Sequence, residues 1–150
     1  MKIEVTILDN ASTLQDLCDL IEVFADVFET DTEERPPSEH LKLLLDNQYF
    51  LAIVAKVDGR VVGGLTIYII TQYISTRPLA YIYDFAVLTQ FQRKGIGKRL
   101  VEFTREYCRT LGCEEIFVQV ERVDLFAQEF YRSTRPTSED PVIHFSYRLD

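Results

Sequence analysis

Between Leu79 and Leu111 the chain changes its period, and that change limits what it can fold into. Leu79 to Leu88 is apolar at nearly every position, with Asp84 its one charge. Continuous apolar character predicts a central strand covered on both faces. From Ile96 onward the apolar residues Ile96, Leu100, Phe103, Tyr107 and Leu111 recur at helical spacing, and Lys98, Arg99, Glu102, Arg105 and Glu106 face outward. Between the two runs sits Gln92-Arg93-Lys94-Gly95-Ile96-Gly97, a turn with two glycines and two cations. A buried strand turning tightly into an amphipathic helix calls for a layered α/β domain.

The remaining elements fit one such domain over residues 1–150. Ile3 to Leu8 alternates as a short strand, and a helical pattern then runs from Leu14 to Phe28. Glu29 to Pro37 is an acidic, proline-ended loop, and a second short helix follows to about Asn47. Tyr49–Val57 and Arg60–Tyr73 read as strands joined by Asp58-Gly59, a strong hairpin signal. Gly63-Gly64 inside the second predicts a bulge or a close backbone approach. Gly112 should end the long helix. A strand over Glu115–Val120, an Asp-capped helix over Asp124–Ser133 and a final strand over Val142–Leu149 complete the chain. In that last strand Ile143, Phe145, Tyr147 and Leu149 share one face.

The turn carries chemistry. Helix-start N–H groups have no internal partner, and the helix dipole places partial positive charge there. Glycines let the backbone bring several N–H groups toward one point, a geometry that binds phosphate. Arg93, Lys94, Lys98 and Arg99 add cations where the dipole disfavours them, which points to an anion held at that place. The GKS or GKT ending of a nucleotide P-loop is missing, and so is the third glycine of a dinucleotide fingerprint.

Composition excludes other classes. The formal net charge of −8 argues against nucleic acid and permits attraction of a cationic small molecule. Three cysteines at Cys18, Cys108 and Cys113 show no metal-ligand spacing, so buried thiols and no metal are expected. No run is long and apolar enough for a signal peptide or a membrane span, which predicts a cytoplasmic protein.

Gln92, Gly95 and Gly97 match the (Q/R)xxGx(G/A) acyl-CoA signature, and with the order of elements the whole chain resembles the GCN5-related N-acetyltransferases (GNAT). The segments Tyr81–Val87 (YIYDFAV), Phe117–Tyr131 (FVQVE, Asp124, Ala127, Phe130, Tyr131) and His144-Phe145 are similar to YIYDLAV, VQADxGDDPAxxLY and MHFDI of the aminoglycoside 3-N-acetyltransferases. The resemblance implies a GNAT fold: a mixed, mostly antiparallel sheet of about six to seven strands, splayed at its centre and flanked by four helices. It implies acetyl-CoA as acyl donor and acetylation of the 3-amino group of an aminoglycoside, and hence antibiotic resistance. Members of this family often dimerise, so a homodimer is open. Two other readings stay open: a GNAT acting on another amine, such as a polyamine or a protein N-terminus, and a degenerate acyl-CoA-binding module.

The resemblance also distributes roles. The pantetheine arm pairs with the strand at Phe85, Ala86 and Val87, and the pyrophosphate lies on Gln92, Arg93, Lys94, Gly95, Ile96, Gly97 and Lys98. Ala127 and Tyr131 complete the cofactor contacts, with the Tyr131 phenol placed as the acid beside the sulfur. Asp84 must have a partner or face a cleft, because a lone buried carboxylate is costly; it is assigned as general base, with Tyr83 and Phe85 expected to point the other way. Glu121 and Asp124, with Tyr83, Glu29 and Asp31, are the expected acceptor-binding residues, and with Glu33 and Glu34 the carboxylates form a negative funnel for a polycationic amine.

Overall fold

The computed structural model describes residues 1–30 and 35–150. The chain divides into two compact units, Met1–Gln119 and Val120–Asp150, and each is described by itself.

The first unit is one five-stranded sheet with three α-helices. The order along the chain is β1 (Ile3–Leu8), α1 (Leu14–Phe28), α2 (Ser38–Asp46), β2 (Phe50–Val57), β3 (Arg60–Ile70), β4 (Leu79–Val87), α3 (Ile96–Thr110) and β5 (Glu115–Val118). The strands lie in sequence order, β1 to β5. The first three pairings are antiparallel; β4 and β5 are parallel, as the intervening α3 crossover demands. Ala52, Ile53, Val54 and Ala55 of β2 are all wholly buried. Successive strand side chains point to opposite faces, so the sheet is covered on both. α1 packs over β3 and β4, and α3 spans β1 to β4.

The sequence signals act locally as their chemistry requires. Asp58 and Gly59 both take positive φ, 49° and 84°, the backbone that matches a two-residue turn to strand twist. A register shift follows at Ala55/Lys56. Gly64 is where α1 meets the sheet: a Cβ there would collide with the Ile53 carbonyl and the Leu20 side chain. The double glycine therefore serves both expected purposes.

The second unit contains α4 (Leu125–Ser133), with Asp124 as its cap. The structure corrects the expected strand number here. Val142–Leu149 joins no ladder among the described residues, and the sheet has five strands rather than six or seven. The alternation of that segment is intact, but its apolar face is solvated: Ile143 is 80% and Phe145 76% exposed.

Gly64→Ala should destabilise the fold by about 1–3 kcal/mol, the usual cost of overpacking a close contact, and Gly64→Val should cost more. Urea unfolding of the three proteins reads this; an unchanged midpoint for Gly64→Val would show that α1 does not sit on Gly64.

Candidate active site

β4 begins as an ordinary strand and becomes irregular at Asp84. Its pairing with β3 runs Ile82↔Ile67 and then Phe85↔Leu65, so β4 advances three residues while β3 advances two. The extra residue is a bulge at Tyr83-Asp84, and bulges re-aim side chains. The alternation expected across Tyr83, Asp84 and Phe85 breaks at this point. Tyr83 is 59% exposed, while Asp84 and Phe85 are both half-buried. The Asp84 N–H donates to the Thr66 hydroxyl at 3.2 Å. Thr66, itself buried, supplies the acceptor that the interrupted ladder cannot.

Among the described residues no side chain donates to the Asp84 carboxylate, and its burial raises its pKa above the ordinary aspartate value. Beside it lies a row of rings that sequence reasoning missed. Tyr68 pairs with Tyr81 across the ladder, and both meet Tyr83 edge-on at centroid distances of 5.6 and 5.9 Å. Tyr81 stacks on Phe117 at 4.7 Å. The Tyr68 hydroxyl is raised in pKa by burial first, then by Tyr83 and by the Asp84 charge, so it feels that carboxylate. The Y-x-Y spacing of Tyr81 and Tyr83 was visible in the sequence, but the cross-strand partner needed the register.

Beyond Asp84 the sheet opens. The parallel ladder between β4 and β5 covers Leu79↔Glu115 to Ile82↔Val118 and stops. Phe85, Ala86 and Val87 pair with β3 alone. Leu88 N–H bonds to Val62 on the β3 side, so the Val87 amide, one residue earlier, faces the open side. The Val87 carbonyl accepts from Gln92 Nε2 at 2.9 Å, which ties the end of β4 to the turn.

The turn then enters α3. Arg93 has φ 61° and Gly95 φ 83°, two left-handed residues that fold the chain back sharply. The first helical bond runs from Arg99 N–H to the Gly95 carbonyl at 3.1 Å, and no side chain caps this end. The N–H groups of Ile96, Gly97 and Lys98 are thus the ones a helix leaves without an internal acceptor. Arg93, Lys94, Lys98 and Arg99 are all exposed around them. The Ile96 side chain is 1% exposed and belongs to the core; only its backbone can serve a ligand. An unpaired strand edge leading into uncapped N–H groups and four cations fits an elongated, phosphate-bearing thioester. Asp84, Phe85 to Val87 and Gln92 to Lys98 are brought together on this one continuous run.

In the second unit, Asp124 Oδ1 accepts the Ala127 N–H at 3.0 Å and caps α4. That bond occupies an oxygen expected to serve the acceptor. Gln128 donates to the Arg122 carbonyl at 2.7 Å and the Glu121 carbonyl at 3.4 Å, which fixes the turn before α4 and leaves Glu121 exposed. The Tyr131 phenol is raised in pKa by burial and, less, by the Asp124 charge, so it stays protonated through neutral pH. Glu29 is exposed at the C-terminal end of α1, in a left-handed conformation. Asp31, Glu33 and Glu34 lie outside the described residues. Cys108 and Cys113 are buried free thiols, with burial pushing Cys108 up to about 12, and Cys18 is half-buried. No group of three metal-ligating side chains occurs among the described residues, and none of their helices is long and apolar enough to cross a membrane.

Known proteins agree with this geometry. The acetyltransferase (GNAT) family profile matches residues 15–134. The chain belongs to the GNAT acetyltransferase family. It is an acetyl-CoA-dependent N-acetyltransferase. Its GNAT domain superposes with a TM-score of 0.95 on an aminoglycoside acetyltransferase, meta-AAC0020 from an uncultured soil metagenomic sample, solved in complex with sisomicin. The two are 44% identical over 99% of this chain and 97% of that one. An aminoglycoside N(6')-acetyltransferase type 1 of Stenotrophomonas maltophilia is 22% identical over 77% of each chain. An aminoglycoside N-acetyltransferase crystallised with CoA shares the fold at 16% identity and TM-score 0.78, covering 99% of this chain and 96% of that one.

The raised pKa of Asp84 has a sign that stability measurements read. Its folded value lies above the unfolded one, so its favourable contribution is complete below the unfolded pKa, about 3.9, and is lost as pH rises through the folded value. Asp84→Asn should therefore melt at or above the wild-type temperature at neutral pH, and the difference should close in acid. A markedly lower melting temperature for Asp84→Asn at neutral pH would mean that the carboxylate holds structure.

Proposed function

We propose that this GNAT enzyme acetylates an aminoglycoside at its 3-amino group. The observation that carries the substrate class is the 44% identity over nearly the whole chain to an enzyme solved with sisomicin. The 3-amino position rests on the likeness of Tyr81–Val87, Phe117–Tyr131 and His144-Phe145 to the 3-N-acetylating enzymes. The 6'-amino group is the second reading, favoured by the name of the Stenotrophomonas relative.

Acetyl-CoA supplies an activated acetyl group, and each step otherwise falls to residues of this chain. The open edge at Phe85, Ala86 and Val87 receives an extended pantetheine chain as an added strand would be received. The N–H groups from Gly95 to Lys98, with Arg93 and Lys94, hold the pyrophosphate. The Val87 N–H is the donor for the thioester oxygen, and Gln92 fixes that peptide's orientation through the Val87 carbonyl.

Proton movement falls to Asp84 and Tyr131. Only a free amine attacks, so the incoming ammonium must lose a proton. Asp84 takes it, directly or through one water; partial burial makes its carboxylate a stronger base than an exposed aspartate. Tyr131 stays protonated and shares its proton with the departing sulfur. Glu121 and the exposed Glu29 orient cationic amines, together with Asp31; the second oxygen of Asp124 adds to them. Tyr83, exposed beside Asp84, offers a ring face for an apolar sugar face.

The test is coenzyme A release over a panel of aminoglycosides, polyamines and peptides, with the product position read by NMR. Sisomicin should turn over and carry its acetyl group on the 3-amino nitrogen. Asp84→Asn should lower kcat by about 10²- to 10⁴-fold, the reach of general acid–base catalysis, with acetyl-CoA affinity kept. Acetylation at the 6'-amino group would replace the position and keep the class. Turnover of a polyamine or peptide with no aminoglycoside accepted would overturn the class.

A further inference from the structure

Two parts of this chain each carry an unmet requirement of β-structure. The first is Val142–Leu149. Ile143, Phe145, Tyr147 and Leu149 fall on one face and His144, Ser146 and Arg148 on the other, the pattern of a strand with one buried side. Yet the segment forms no ladder among the described residues, and Ile143, Phe145, Tyr147 and Leu149 are 80%, 76%, 87% and 95% exposed. Nor is it a featureless tail. Arg132 donates from Nε and Nη2 to both carboxylate oxygens of Glu139, at 2.9 and 2.8 Å. That two-point bond pins the base of the arm to α4, and Pro136 and Pro141 stiffen the connection.

The second is the outer edge of β5. β5 is the last strand of the sheet and pairs only with β4. Edge strands normally carry charges, prolines or bulges that block further pairing. β1, at the opposite edge, has such protection in Lys2 and Glu4, joined at 3.0 Å. β5 reads Glu115-Ile116-Phe117-Val118, with neither lysine nor proline. Ile116 and Val118 pack against the core yet remain half-exposed. This edge is built to be paired.

We propose that the chain forms a two-fold dimer by strand exchange, in which Val142–Leu149 of each copy pairs along β5 of the other. The occupant is a second copy because the same chain supplies an unguarded edge and an unpartnered strand of matching character. A two-fold exchange satisfies both at once and closes without leaving a new edge to propagate. The area suffices: an aromatic side chain buries about 150–250 Å², so Phe145 and Tyr147 from two arms, with Ile143 and Leu149, reach the roughly 1,200–2,000 Å² of a stable interface.

Analytical ultracentrifugation at micromolar concentration tests this. Wild type should sediment as a dimer. Phe145→Asp/Tyr147→Asp should sediment as a monomer, with the circular dichroism spectrum and the thermal shift on acetyl-CoA retained. Alternate strand amides point to opposite sides, so at least one of Phe145→Pro and Ser146→Pro must lose a ladder bond and weaken the dimer at least tenfold. Those single variants keep the test open if the double variant aggregates. A monomeric wild type, whether its arm folds back on itself or awaits another protein, overturns the proposal. So does a dimer that survives both proline substitutions.

Discussion

The loss of pairing between β4 and β5 after Ile82 and Val118 is the constraint on which the site depends. A sheet interior satisfies its backbone groups strand to strand, and an unpaired stretch inside one is costly unless something else pairs with it. Here the unpaired stretch leads directly into a helix start that also lacks partners. Three local features hold the gap. The bulge at Tyr83-Asp84 strengthens the twist of β4 just as the ladder ends. The Thr66 hydroxyl takes up the Asp84 amide, and Gln92 takes up the Val87 carbonyl. What remains unsatisfied is one line of amides followed by a cluster of cations.

Charge is arranged on two scales. The chain as a whole is strongly acidic, with a formal net charge of −8. The turn before α3 is locally basic, and its exposed cations sit where the helix dipole alone would disfavour them. Opposite fields suit an enzyme with two substrates of opposite sign, because each is steered to a different region. The buried Asp84 works on a shorter range: its raised pKa comes from burial, and the neighbouring Tyr68 hydroxyl registers its charge.

Much of this was legible in the sequence because it is local. The glycine turn, the Asp58-Gly59 hairpin, the close approach at Gly64 and the Asp124 cap all follow from residues within a few positions of one another. The isolated Asp84 was legible because a charge in an apolar strand needs a reason. What the sequence concealed depends on register. The bulge at Tyr83-Asp84 is set by pairing with β3, so simple alternation misjudged which way neighbouring side chains point. The ring row from Tyr68 to Phe117 needs three strands to align. Asp124 showed its cap, but not that the cap occupies an oxygen wanted for the acceptor. Val142–Leu149 has the pattern of a strand, but pattern states only that a strand could pair, not with what.

The account stands on the β4 edge as the seat of the pantetheine arm, and amide hydrogen exchange measured by NMR tests that residue by residue. Addition of coenzyme A should slow exchange at Val87, and slow it again at Gly97 and Lys98 as the turn closes on the pyrophosphate. Ile82, already paired with Val118, should change little. Slowed exchange at the turn with Val87 unaltered would place the arm away from the open edge and contradict the account.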